Sequence, residues 1–215
     1  HNAGPVRLPM LRQQVPGANG CCLSLADYIS PEQPAASSDV RNLPPENVLG
    51  LFAASVREGD VAAEAEDEER YGQMLCQTLK DRLAEATAEK LHEDVRRIYW
   101  AYAPEERLAM PELFAAKYRG IRPAVGYPSL PDQSIIFLID RLLPFSQIGV
   151  RLTENGMMHP HASVAGLMLS HPAAEYFSVG RIDRNQLEDY AARRGMTSRE
   201  LRKYFFRTLA QGESG

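Results

Sequence analysis

Val48-Leu49-Gly50-Leu51-Phe52-Ala53-Ala54-Ser55-Val56 is an uncharged, mostly apolar run that Gly59 and Asp60 close. Its length suits a buried strand better than a helix. Further along, Ile148 to Leu152, Val164 to Ser170 and Tyr176 to Ile182 read as three more strands, the last two joined across the turn-forming His171-Pro172. The chain between them has helical spacing. From about Ala62 to Tyr102 there is no proline and Gly72 is the only glycine; Tyr71, Leu75, Leu79 and Leu83 recur every fourth residue, and Leu91, Val95, Ile98 and Tyr99 resume the stripe. Strands flanking a helical middle, with no internal repeat and no regular βαβ alternation, give an α+β class: an antiparallel twisted sheet with long helices. A doubly wound dinucleotide fold is disfavoured by the same pattern.

Outward from this frame, the helix needs an accommodation. About 40 residues at a rise of about 1.5 Å make roughly 60 Å, longer than a compact domain of this size, so a bend or an overhanging end is expected. The acidic stretch Glu58, Asp60, Glu64, Glu66, Asp67, Glu68 and Glu69 reads as the helix start, where carboxylates offset the macrodipole. Residues 1–47 hold seven of the 15 prolines, which excludes a long helix there; only Cys22 to Ile29 looks packed. Pro111 is placed to open a short helix through Lys117, and Asp132 to cap one from Gln133 to Leu143. Asp183 caps a helix to Arg194, stopped by Gly195, and a last helix runs from Thr197 or Ser198 to Leu209.

Composition removes several function classes. The 215 residues carry 24 Lys and Arg against 28 Asp and Glu, a mild acidity that disfavours a protein built to grip nucleic acid. No apolar stretch approaches the roughly 18 residues of a membrane span. Cys21, Cys22 and Cys76 are an odd number in no metal-type spacing, which points to free thiols in a reducing, cytoplasmic setting. His159 and His161 lie two apart, but Pro160 separates them and only His171 is near as a third ligand, so a loop pair with ordinary surface roles is the simpler reading. No P-loop, G-x-S-x-G, H-E-x-x-H or G-x-G-x-x-G occurs.

Arg122 to Pro128 is the most unusual segment. Two prolines stiffen it, Gly126 permits a positive φ or a close ligand, and Arg122 and Tyr127 add a fixed cation and an aromatic face. A guanidinium on a stiff loop suits a bidentate grip on a carboxylate. A tight turn with Arg122 paired to a neighbouring acid fits the spacing equally well.

The string GIRPAVGYP, with LTENGMMHPHASVAG, AAEYFSVGRID and QLEDYAARRG, closely resembles the C-terminal activation domain of cobalamin-dependent methionine synthases. DRLAEATAEKLHEDVRRIYWAYAPEE upstream matches the same family, so the resemblance runs from about Leu11 to Arg194. It implies a module that binds S-adenosylmethionine and supports reductive methylation of cob(II)alamin to methylcobalamin, as part of a methyltransferase and not active alone. Cobalamin would sit on a partner domain, and flavodoxin or a reductase would supply the electron. The family loop R-P-A-x-G-Y carries over onto Arg122, Pro123, Ala124, Gly126 and Tyr127, with Arg122 on the methionyl carboxylate and the backbone at Ala124 and Gly126 close to the ligand. Tyr176 and Phe177 match an aromatic pair, the second without its hydroxyl. Glu85 matches a cleft acid, although a solvated helix carboxylate is the plainer account, and Asp81, one turn earlier, matches a contact to the cobalamin domain. By the same comparison, residues 1–10 are a tag or irregular lead-in and 11–215 the activation domain, lacking the family domain's first part and its ligand-contacting Asp. Ala116 stands where some members carry an acid. These departures motivate the rival reading, an interaction or structural module that no longer binds S-adenosylmethionine. A free-standing enzyme with its own acceptor is a third.

Overall fold

The structure, a computed structural model, describes residues 6–17, 20–29, 44–57 and 69–205. β1 (Gly50–Ser55) is the strand expected from the opening run. It pairs antiparallel with β4 (Ser163–Met168), Phe52 opposite Gly166. Between them lie α1 (Glu69–Asp94), α2 (Met110–Phe114), α3 (Ile135–Leu142), and the short hairpin of β2 (Arg151–Leu152) and β3 (Met158–His159). α4 (Arg184–Arg194) and α5 (Ser198–Arg202) follow. The α+β class with an antiparallel sheet and a long helix therefore stands.

Alternation along β4 separates two cores. Ala165, Leu167 and Leu169 face Ile135, Ile136 and Ile139 of α3, whereas Val164 and Met168 face Phe52, Ala54 and Ala88 of α1. A third cluster joins Leu187, Tyr190 and Ala191 of α4 to Leu201 and Phe205. Leu8 and Met10, within the expected lead-in, pack against the α3 core.

The first correction concerns α1. Tyr71, Leu75, Leu79 and Leu83 do not form its core face: they are between 41% and 56% exposed. The buried face is Ala84, Ala88, His92 and Arg96, also at spacing four. Small residues let the helix lie close on β1 and β4, while its first turns run past the sheet, so the overhang is N-terminal. The helix closes in a π turn at Val95–Tyr99, where Trp100 N–H reaches back to Val95 O at 2.9 Å.

Two strand expectations also change. Phe145–Ile148 is a 3-10 turn, and the chain extends only at Arg151–Leu152. Tyr176 to Ile182 is not a strand, because the Ser129 hydroxyl engages both the N–H and the carbonyl of Phe177 and Val179 N–H donates to Pro128 O at 3.0 Å. A loop takes the bonds that a ladder would use. α2 stops at Phe114, short of Lys117, and α3 starts at Ile135 after a turn of i+3 bonds. Asp132 still caps that turn, accepting from Ser134 N–H at 2.8 Å, and its other oxygen accepts from Tyr190 Oη at 2.8 Å, which ties α3 to α4. Asp183 caps α4 through Gln186 N–H at 2.8 Å. The last helix, expected to run to Leu209, ends at Arg202, because the chain tightens into i+3 bonds there: Tyr204 N–H donates to Leu201 O at 3.0 Å and Phe205 N–H to Arg202 O at 3.3 Å. The acidic helix start at 58–68 lies outside the described residues.

Candidate functional site

β4 has a second neighbour on the side away from β1. Ile121 and Leu169 exchange both backbone bonds at 2.9 Å, Leu167 N–H donates to Pro123 O at 3.0 Å, and Val125 N–H donates to Ala165 O at 3.0 Å. Pro123 has no N–H to return. The chain then turns at Gly126, whose φ of 86° is a region that strains residues with a Cβ. Its N–H donates to Leu130 O at 2.9 Å. This turn holds Arg122 against α1 and delivers Tyr127 to the surface.

Arg122 is paired on both flanks. Its Nε and Nη2 donate to Glu89 Oε2 at 3.3 and 3.0 Å, and Nη1 lies 3.7 Å from Glu85 Oε2. Burial pulls the guanidinium pKa down, but the bond to Glu89 and the neighbouring carboxylates outweigh it and the net shift is upward. Tyr127 donates to Glu85 Oε1 at 2.7 Å, and that bond, aided by burial, pushes the phenol up to about 12. The main chain of Arg122 is fixed as well, its N–H donating to Tyr176 Oη at 3.0 Å. Both sequence readings of Arg122 thus have their geometry here: a turn arginine paired to acids, and a guanidinium at the edge of a groove.

The groove encloses about 640 Å³, within the range of small-molecule sites. Glu85, Arg122, Ala124, Tyr127, Tyr176 and Phe177 line it together, and Gly126 shapes the turn beside them. Leu113, Phe114 and Ala116 after α1 form the facing wall. Asp81 lies outside, accepting from Gln77 Nε2 at 2.7 Å and lining a neighbouring cavity of about 380 Å³ that shares Glu85 and Tyr127 with the groove. Among the described residues no group of three or more His, Cys, Asp or Glu is placed to hold a metal ion, and no helix is long and apolar enough to cross a membrane.

Three residues of the groove and its backing were missed by the sequence reading: Tyr118 lines it, and Arg96 and His92 lie behind that ring. The Tyr118 hydroxyl lies 3.4 Å from that of Tyr176, the Arg96 guanidinium lies 4.4 Å over the Tyr118 ring, and His92 meets the same ring edge-on at 5.1 Å. A fourth, Glu89, lies one turn beyond Glu85, and that spacing was the available signal. His92 is fully buried, with neither ring nitrogen hydrogen-bonded among the described residues. Burial, with the charges of Arg96 and Arg122, lowers its pKa from 6.5 to about 2.

A pH dependence follows from that neutral histidine. Unfolded, His92 takes up a proton near its ordinary value; folded, it stays neutral down to about 2. Its contribution to stability is therefore intact above the unfolded pKa and is lost as pH falls through the interval down to the folded value. Between about pH 7 and about pH 5 the loss is about 2 kcal/mol. Urea unfolding of wild type and His92→Phe at both pH values should show their difference in stability moving by that amount. An equal difference at the two pH values contradicts the assignment.

The family model described as vitamin B12 dependent methionine synthase, activation domain, matches residues 2–195. A solved structure, the MetH reactivation domain bound to AdoHcy, is similar at 38% identity with a TM-score of 0.78. The match covers 94% of this chain and 61% of that one, so the chain spans less than two thirds of its solved relative.

Proposed function

The chain belongs to the activation-domain family of vitamin B12-dependent methionine synthases, and from that premise we propose that it binds S-adenosylmethionine in the groove between α1 and the Arg122 loop. The observation that carries the reading is the convergence of three separate segments, Glu85, the loop of Arg122 and Tyr127, and Tyr176, on one groove. S-adenosylmethionine supplies the sulfonium methyl for reductive methylation of cob(II)alamin to methylcobalamin, with AdoHcy left behind and the electron coming from flavodoxin or a reductase. This chain's residues bind and orient. Arg122 holds the methionyl carboxylate, Glu85 offers negative charge to the sulfonium, and Leu113, Phe114 and Phe177 form apolar wall for the adenosyl group. The donor set fits a small zwitterionic cation: one guanidinium and two carboxylates line the groove.

We place the cobalamin-binding domain, the partner in a longer methyltransferase, over the cavity beside the groove, where Asp81 and Glu85 face outward. The chemistry then needs positioning and a fixed field from this module rather than its own acid or base. Cys21, Cys22 and Cys76 form no disulfide, which fits a reducing, cytoplasmic setting.

Calorimetric titration tests the reading. Wild type should bind S-adenosylmethionine and AdoHcy saturably, and Arg122→Ala should bind about ten- to a hundred-fold more weakly, the usual loss of a hydrogen bond to a charged group. No saturable binding at about millimolar ligand would sink the proposal and leave the rival, an interaction module without ligand. The exposed stripe Tyr71, Leu75, Leu79 and Leu83 on α1 favours that rival.

A further inference from the structure

We infer that Glu89 anchors the α-ammonium of the ligand's amino-acid head beside Arg122, which takes the carboxylate, so that the two side chains form one zwitterion clasp. This deepens the function proposed above and rests on it. Glu89 Oε2 is spent on Arg122, at 3.0 Å from Nη2, whereas Oε1 is buried with no hydrogen-bond partner among the described residues. A buried acceptor without a donor is a standing cost of the fold. The terminal torsion of a glutamate is soft, so the carboxylate can turn this oxygen toward the groove that Glu89 lines.

Charge points the same way. Glu85 and Glu89 are the anions lining the groove and Arg122 is its one cation among the described residues. One negative charge is left for a ligand to answer. The ligand offers two cations, and they differ in kind. A sulfonium sulfur carries no hydrogen and answers charge alone, while an ammonium has three N–H donors and satisfies an acceptor directly. Glu85 already accepts from Tyr127, so the charge-only role falls to it and the donor-seeking role to Glu89. In an α-amino acid the ammonium and carboxylate share one carbon, which matches a site whose cation and anion touch. Ala116 on the facing wall has no side-chain group to compete for the amine.

The test compares AdoHcy with its desamino analogue, which keeps the carboxylate and replaces the ammonium by hydrogen. Wild type should prefer AdoHcy by about tenfold or more, Glu89→Gln by no more than about threefold. Glu85→Gln, which removes the same unit of charge at the position that answers the sulfonium, should keep the wild-type ratio, because neither compound carries a sulfonium. If Glu89→Gln does not fold, Glu89→Asp, which withdraws the carboxylate by one methylene, takes its place with the same expectation. A ratio near one in wild type, or an undiminished ratio in the Glu89 variant, overturns the clasp and leaves ligand binding standing. Failure of wild type to bind either compound removes the proposed function itself.

Discussion

Glu106→Gln should destabilise the protein by about 3 kcal/mol or more, the usual consequence of removing one member of a buried ion pair. Arg96 is fully buried and Glu106 has a side chain only 9% exposed. One oxygen carries the contact: Arg96 Nε donates to Glu106 Oε1 at 2.8 Å, and Nη2 lies 2.7 Å from the same atom without hydrogen-bond alignment. Nη1 has no hydrogen-bond partner among the described residues. With the negative charge gone, an amide oxygen can still accept from Nε, but the positive charge keeps only the Tyr118 ring beneath it, and a cation over a ring recovers about 2 kcal/mol. Urea unfolding reads the effect as a lowered midpoint at unchanged slope. The double variant Arg96→Met, Glu106→Leu should regain most of the loss, because an apolar replacement of both partners avoids the desolvation that one orphan suffers. A single-variant loss below about 1 kcal/mol contradicts a buried, uncompensated charge.

That pair also marks where the sequence was hard to read. Periodicity finds α1, because spacing four is present, but it assigns the buried face to leucines, and here the leucines are exposed while Ala88, His92 and Arg96 are buried. A hydropathy pattern counts His and Arg as outward, and only the ring of Tyr118 and the carboxylate of Glu106, supplied by later segments, make their burial tolerable. β1 and β4 were legible because both are apolar, bounded runs. Tyr176 to Ile182 was not, since Ser129 and Pro128 capture its backbone groups from a distance of almost 50 residues. The site divides similarly. The stiff loop at Arg122 announces itself through its prolines and Gly126. Its meeting with Glu85 and Tyr176 came from family resemblance, and Glu89 escaped because a carboxylate on a charged helix looks like any solvated one.

The second large effect concerns the strand that carries the loop. Gly166→Ala should cost about 3 kcal/mol and should weaken ligand binding at temperatures where the variant is still folded. Gly166 lies opposite Phe52 on one side and Ala124 on the other. A Cβ there would overlap the Pro123 carbonyl oxygen and come to 2.7 Å from Ala124 Cα and 3.0 Å from Phe52 Cε1. Two of these three are backbone atoms, so no rotamer change relieves the clash. Nor is the loop free to step aside, since Leu167 N–H to Pro123 O and Val125 N–H to Ala165 O, each 3.0 Å, fasten it on both sides of Gly166. Relief means breaking one of those bonds, and either break moves Arg122 off α1 and away from Glu89. Stability and affinity should therefore fall together, read by urea unfolding and by calorimetry with AdoHcy. Phe52→Leu makes the comparison, because it shortens the side chain on the β1 side and leaves the loop's bonds intact. It should cost stability without a matching loss of affinity. If Gly166→Ala behaves as Phe52→Leu does, the close approach of β4 to the Arg122 loop is packing alone and does not set the geometry of the groove.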